Sequence, residues 1–124
     1  MAKWQNDAVL DAALSYVQNN TTQEAVCSAQ PTTYAEATST YKLALKTGLT
    51  SGSFTGPTNG DTSGRKLTVN QQASITVDSS GDATHIALCS GSVLLYVTTC
   101  TTQTLSSGNT VTVPAWDIEI ADAV

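Results

Sequence analysis

His85 and Cys89 lie four residues apart, and two more cysteines, Cys27 and Cys100, stand elsewhere in the chain. A histidine with a thiol can make a nucleophile and its base or half a metal site. The segment around them, "SGDATHIALCSGSVLLYVTTC", has two short apolar runs separated by a Ser-Gly turn, which reads as a β-hairpin. On a strand over residues 84–89, His85, Ala87 and Cys89 share one face and Thr84, Ile86 and Leu88 the other. The strand rise then holds His85 and Cys89 roughly 13 Å apart, too far for a hydrogen bond. With Gly91 at the centre of the turn, Cys100 is expected opposite residue 82, near the far end of the hairpin.

Other candidate chemistry fares no better. There is one histidine and no C-x-x-C spacing, so a zinc site has too few ligands. Asn59, Asp61, Asp78 and Asp82 could offer oxygens to calcium, but "NGDTSG" lacks EF-hand spacing, and such residues ordinarily build turns. Asp117 and Glu119 are expected on one strand face roughly 7 Å apart. Glycosidase carboxylates fall about 5–9.5 Å apart, yet neighbouring acids on a strand usually keep that face solvated. The glycine-rich stretch "SGSFTGPTNG" lacks the Gly-Lys-Ser/Thr ending of a phosphate-binding loop, and no G-x-S-x-G elbow occurs. The reading is a protein without catalytic residues, cofactor or metal. The three thiols are expected to be buried or half-buried, with a disulfide within or between subunits as the alternative.

The elements that carry these residues follow from pattern. The chain has 124 residues, of which 12% are charged, about half the usual share. With 21 Thr and 13 Ser, it reads as a β protein with a neutral polar skin, because β-branched threonine suits a pleated surface. One helix is predicted over residues 6–18. Leu10, Ala13, Leu14 and Val17 form its stripe, and Asn6 or Asp7 caps it. "PTTYAEAT" predicts a second helix of at most two turns, with Thr33 and Glu36 at capping-box spacing. "TYKLALKTGL" fits strand or helix. From Leu67 onward three successive hairpins are predicted, turning near Gly81, Gly91 and Gly108, and then "AWDIEIA", with Trp116, Ile118 and Ile120 facing inward. The expected fold is mainly β, an antiparallel β-sandwich or barrel with an N-terminal α-helix. It forms a single domain: a helical segment over 1–45, a Gly-rich loop over 46–66, and an antiparallel meander over 67–124.

A formal charge of −5 with only Arg65-Lys66 as a basic pair opposes nucleic-acid binding. No apolar run is long enough to span a membrane, and "MAKWQNDAVL" lacks a signal peptide's apolar core. Synthesis in a reducing cytoplasm is therefore expected.

The order of segments carries a resemblance. A "W-x-x-D-x-x-L-D-A-A-L" helix precedes "VCSAQPTTYAEAT". Then "NGDTSGRKLTV" leads into "SGDATHIALCSGSVLLYVTTCTTQTLSSGNTVTVPAWDIEIAD". This resembles small virion structural proteins of tailed bacteriophages, of the head-decoration type. The resemblance implies a capsid decoration or cement protein that stabilises the head, made in the bacterial host's cytoplasm and residing in the virion. Its partners would be the major capsid protein or other virion subunits, and it would form a homo-oligomer, most often a trimer. Tail- or fibre-associated subunits and a β-sandwich carbohydrate-binding module are the alternatives. Interface candidates are Trp4, Phe54 in the Gly-rich loop, Cys100, and the acids Asp117 and Glu119 on the last strand's edge.

Overall fold

A computed structural model describes residues 4–122. The N-terminal helix α1 spans Asp7–Asn20, with Asn6 as its cap, its side chain accepting from the Ala8 amide at 2.8 Å. Leu10 and Leu14 are buried, and Leu14 packs with Phe54, Leu67 and Ile118. The Arg65 guanidinium ties the helix to the sheet, donating to both carboxylate oxygens of Asp11 at 2.8 and 3.3 Å.

Among the described residues nine strands follow: β1 (Gln23–Cys27), β2 (Lys42–Lys46), β3 (Phe54–Asn59), β4 (Arg65–Val69), β5 (Gln72–Thr76), β6 (Gly81–Cys89), β7 (Leu94–Leu105), β8 (Thr110–Val113) and β9 (Trp116–Ile120). The fold is mainly β, as the composition implies, and is not a closed barrel. One layer is a four-stranded antiparallel sheet in the order β2-β1-β6-β7. The facing layer is two ladders, β3-β4-β9 and β5-β8. Arg65 pairs with Ile120, Val69 with Trp116, and Gln72 with Val113. The register of β4–β9 thus continues into the Gln72–Val113 pair and shifts by one residue before Ile75–Val111, and Pro114, which has no amide to donate, stands where the two ladders separate. β4–β5 and β8–β9 form one long bent ribbon. Two apolar clusters fill the space between the layers, one around Val26, Ile86, Ile75 and Val113, the other around Leu88, Leu67 and Ile118. The outer face of the four-stranded sheet is covered as well, where Ala25, Cys27, Ala87 and Cys89 lie under Ala37, Tyr34 and Tyr41.

Several expectations from sequence need correction. The 1–45 segment is not simply helical, since β1 and β2 fall there and β1 is central in its sheet. The predicted second helix does form, over residues 34–40, and it widens to π-helical spacing over Glu36–Thr40, closed by the Tyr41 amide donating to the Glu36 carbonyl. Thr33 caps it as its spacing implied, accepting from the Glu36 amide at 3.1 Å. The "Gly-rich loop" over 46–66 contains a hairpin, β3 against β4. Its ladder tolerates Gly56-Pro57 because the register breaks between Thr55 and Thr58, where proline's missing donor is not needed. Of the three hairpins predicted after Leu67, one forms: β6 with β7, turned by a Ser90 amide to Val93 carbonyl bond. β5 and β8 pair with each other instead of with their sequence neighbours, so the meander is replaced by strands that cross between layers.

Candidate functional site

β7 ends one layer and β8–β9 ends the other. Although β7 runs into β8 through a short turn, no ladder joins them. Between these two edges lies a groove containing a cavity of about 440 Å³. Its floor is aliphatic: Val26, Ile86, Leu105, Val111 and Val113. Trp116 forms one wall, and Thr98, Thr99, Cys100, Thr101 and Gln103 of β7 form the other.

Consecutive residues of a regular strand would point to opposite sides. β7 escapes that rule through a bulge. His85 faces Thr99 and Ala83 faces Gln103, so three residues of β7, 100–102, stand opposite Thr84 alone. A bulge bends its strand and re-aims side chains, and here it falls where Cys100 and Thr101 join Thr98 and Thr99 in the groove lining. A second irregularity sits between Leu88 and Cys89, where Tyr96 and Leu94 are the partners. Between the two, residues 96–99 keep a regular ladder with residues 85–88.

Trp116 joins both apolar clusters. Its ring stacks on Tyr96 with centroids 5.9 Å apart, and its indole N–H donates to Glu24 Oε2 at 3.1 Å. Glu24 is fully buried, and its Oε1 has no hydrogen-bond partner. Burial pushes the Glu24 carboxyl up to about 7, only partly opposed by the Trp116 bond, because a charged carboxylate is costly away from water. Sequence reasoning missed Glu24. The available signal was a lone acid at the head of the apolar run "EAVC".

The predicted site residues scatter. Trp4 is 80% exposed at the start of the described chain, away from any cluster. Phe54 is corrected from interface to core: it is buried among Leu14, Leu67 and Val69, because the loop expected to carry it is a strand. Cys100 and Asp117 line the groove. Glu119 is exposed and accepts from the Asp61 amide. Asp117 is engaged too, accepting from Thr68 at 2.7 Å with Lys66 3.6 Å away.

The histidine and the thiols do not form a reactive unit. His85 sits opposite Cys27 on one side and Thr99 on the other, so Cys100 is nearer His85 in register than the turn-centred estimate placed it. Cys27 and Cys89 are completely buried, and all three cysteines are free. Burial pushes the Cys27 thiol up to about 12, with Cys89 and Cys100 nearby adding to the effect. Burial also takes Cys89 to about 11 and raises Cys100. All are neutral thiols at physiological pH, whereas a nucleophilic cysteine needs its thiolate. Among the described residues no group of three or more His, Cys, Asp or Glu side chains is placed to hold a metal ion, and no helix is long and apolar enough to cross a membrane.

Fold and groove together define a class: an open two-layer β protein with a threonine-lined lateral groove in which Asp117 is the one charged lining residue. No protein-family model, curated protein or solved structure matches the chain.

Proposed function

We propose that this protein is a non-enzymatic structural subunit of a tailed-bacteriophage virion, most concretely a decoration or cement protein bound to the capsid shell. The observation that carries the reading is the groove side of the molecule. From Ala83 to Trp116 no residue bears a formal charge, and this stretch supplies β7, β8 and most of the groove lining. Such a surface favours permanent contact with another protein chain, since an interface core is depleted in charge. Three of the five cations are engaged by carboxylates: Arg65 with Asp11, Lys66 with Asp61, and Lys42 with Asp78. The partners in this reading are the major capsid protein and further copies of the chain, and the protein is made in the host's cytoplasm before joining the particle.

A carbohydrate-binding module would present an aromatic platform. Trp116 is the one aromatic lining the groove, but its ring is stacked on Tyr96 and its N–H is committed to Glu24. The virion reading is therefore preferred. It is tested by mixing the purified protein with phage heads stripped of accessory proteins and sedimenting them. Addition at a fixed ratio to the major capsid protein is expected. Heads that take up none would refute the decoration role, and binding only to tails would move the protein to the tail.

A further inference from the structure

We propose that two copies of this chain associate through β7, the strand of one lying antiparallel to that of the other across a two-fold axis. This extends the self-association contained in the virion reading but does not require a virion.

β7 is twelve residues long and ends its sheet. Among the described residues its backbone hydrogen-bonds only to β6, so its outer edge presents unpaired amides and carbonyls. Natural edges of this kind are guarded by charge, proline or bulges. The opposite edge of the groove has such guards in Pro114, Asp117 and Glu119. β7 has neither charge nor proline, and its two irregularities leave the ladder at residues 96–99 intact between them.

Charge selects the occupant. Each copy carries −5, so two copies repel over most of their surfaces. In a two-fold antiparallel contact every residue meets its own strand, and any charge on β7 would oppose a like charge nearby. Residues 83–116 contain none. A basic partner would be drawn to the acidic remainder of the surface and would gain nothing from this face, whereas a second acidic copy can approach only through it. Threonine opposite threonine is a favourable cross-strand pair, and Thr98 and Thr99 lie in the regular stretch.

The pairing is also self-limiting. The other end of the sheet, β2, is covered where the Asp78 amide donates to the Leu43 carbonyl and Ala44 bridges Val77. Joining two β7 strands makes a closed pair with an eight-stranded sheet, because an isologous contact uses each copy's surface once. That pair stands in place of the three-fold ring implied by the resemblance. Cys100, just beyond the regular stretch, lies close to the axis.

Sedimentation equilibrium over a range of concentrations tests this, using the native chain and two double variants, Thr99→Glu/Thr101→Glu and Thr99→Lys/Thr101→Lys. The native protein is expected to dimerise. Each variant puts like charges across the axis and is expected to weaken the dimer about tenfold or more. Mixing the two variants is expected to restore association. In parallel, a short bismaleimide is expected to link two native chains, but not two Cys100→Ser chains. This second readout holds even if a charged variant fails to fold. A native protein that stays monomeric overturns the proposal and leaves the groove to a different chain. So do variants that dimerise like the native protein, or native dimers without a Cys100-dependent crosslink. Because head binding is read in a separate assay, either idea can fail alone.

Discussion

Glu24→Gln is expected to abolish the pH dependence that one buried carboxyl imposes on the fold. Glu24 is fully buried with one oxygen unpartnered, and its pKa rises from 4.5 to about 7. Below about pH 4.5 the carboxyl is neutral whether the chain is folded or not, and it carries no ionic penalty. As pH rises through about 7 the unfolded chain has already released the proton, while the folded one must bury a carboxylate or hold on to its proton. Stability from this group is therefore full below 4.5, falls between 4.5 and about 7, and is lost above. Each tenfold change in proton affinity is about 1.4 kcal/mol, so the displacement amounts to about 3 kcal/mol. That is a large part of a stability of about 5–15 kcal/mol. Glutamine keeps the size and still accepts from the Trp116 indole. The cost of its unpaired NH₂ does not change with pH. Urea unfolding of both proteins from pH 4 to 8.5 gives the test as a difference. The glutamine variant should gain on the native protein by about 3 kcal/mol between the two ends of that range. A difference that stays flat with pH would show that Glu24 is hydrated or paired in solution, and the account of the Trp116 wall would fall with it.

Leu67→Ala removes a fully buried side chain from the cluster joining α1 to the second layer. It should cost about 2–5 kcal/mol in urea unfolding, and a loss under 1 kcal/mol would mean that cluster is loosely packed. Gly64 sits at φ +70, and an added methyl would collide with the Ile120 carbonyl. Gly64→Ala should therefore destabilise by more than about 1 kcal/mol and increase amide exchange in β3, β4 and β9, and an unchanged melting curve would contradict the turn geometry. An aromatic disulfide reagent at pH 8 should modify Cys100 alone in the folded protein and all three thiols after unfolding, since Cys27 and Cys89 are inaccessible and un-ionised. Rapid reaction of a second thiol would argue against the sheet covering described here.

Features that depend on short-range pattern were legible in the sequence. The α1 face of Leu10, Leu14 and Val17 (Ala13, expected on it, is exposed) and its Asn6 cap, the Thr33 cap, the β6–β7 hairpin and the in-out alternation of "WDIEI" each rest on short-range pattern, so local geometry fixes them. The predominance of strand also followed from composition, because threonine-rich, charge-poor chains favour pleated surfaces. Strand partners were another matter. β5 and β8 alternate like hairpin arms, but their mates lie far along the chain, and only burying both faces of "EAVC" and "HIALC" under separate layers selects that pairing. A central strand such as β1 has no alternation to display, since it is covered on both sides. Phe54 looked exposed because glycine and proline surround it, yet a register break lets that segment pair and turn the ring inward. The groove lining depended on a bulge whose extra residues become visible only against the opposing strand. Glu24 gained its character the same way: a carboxylic acid is ordinary in sequence, and it was the tertiary enclosure, with Trp116 brought to it from 92 residues away, that removed its water and shifted its proton affinity.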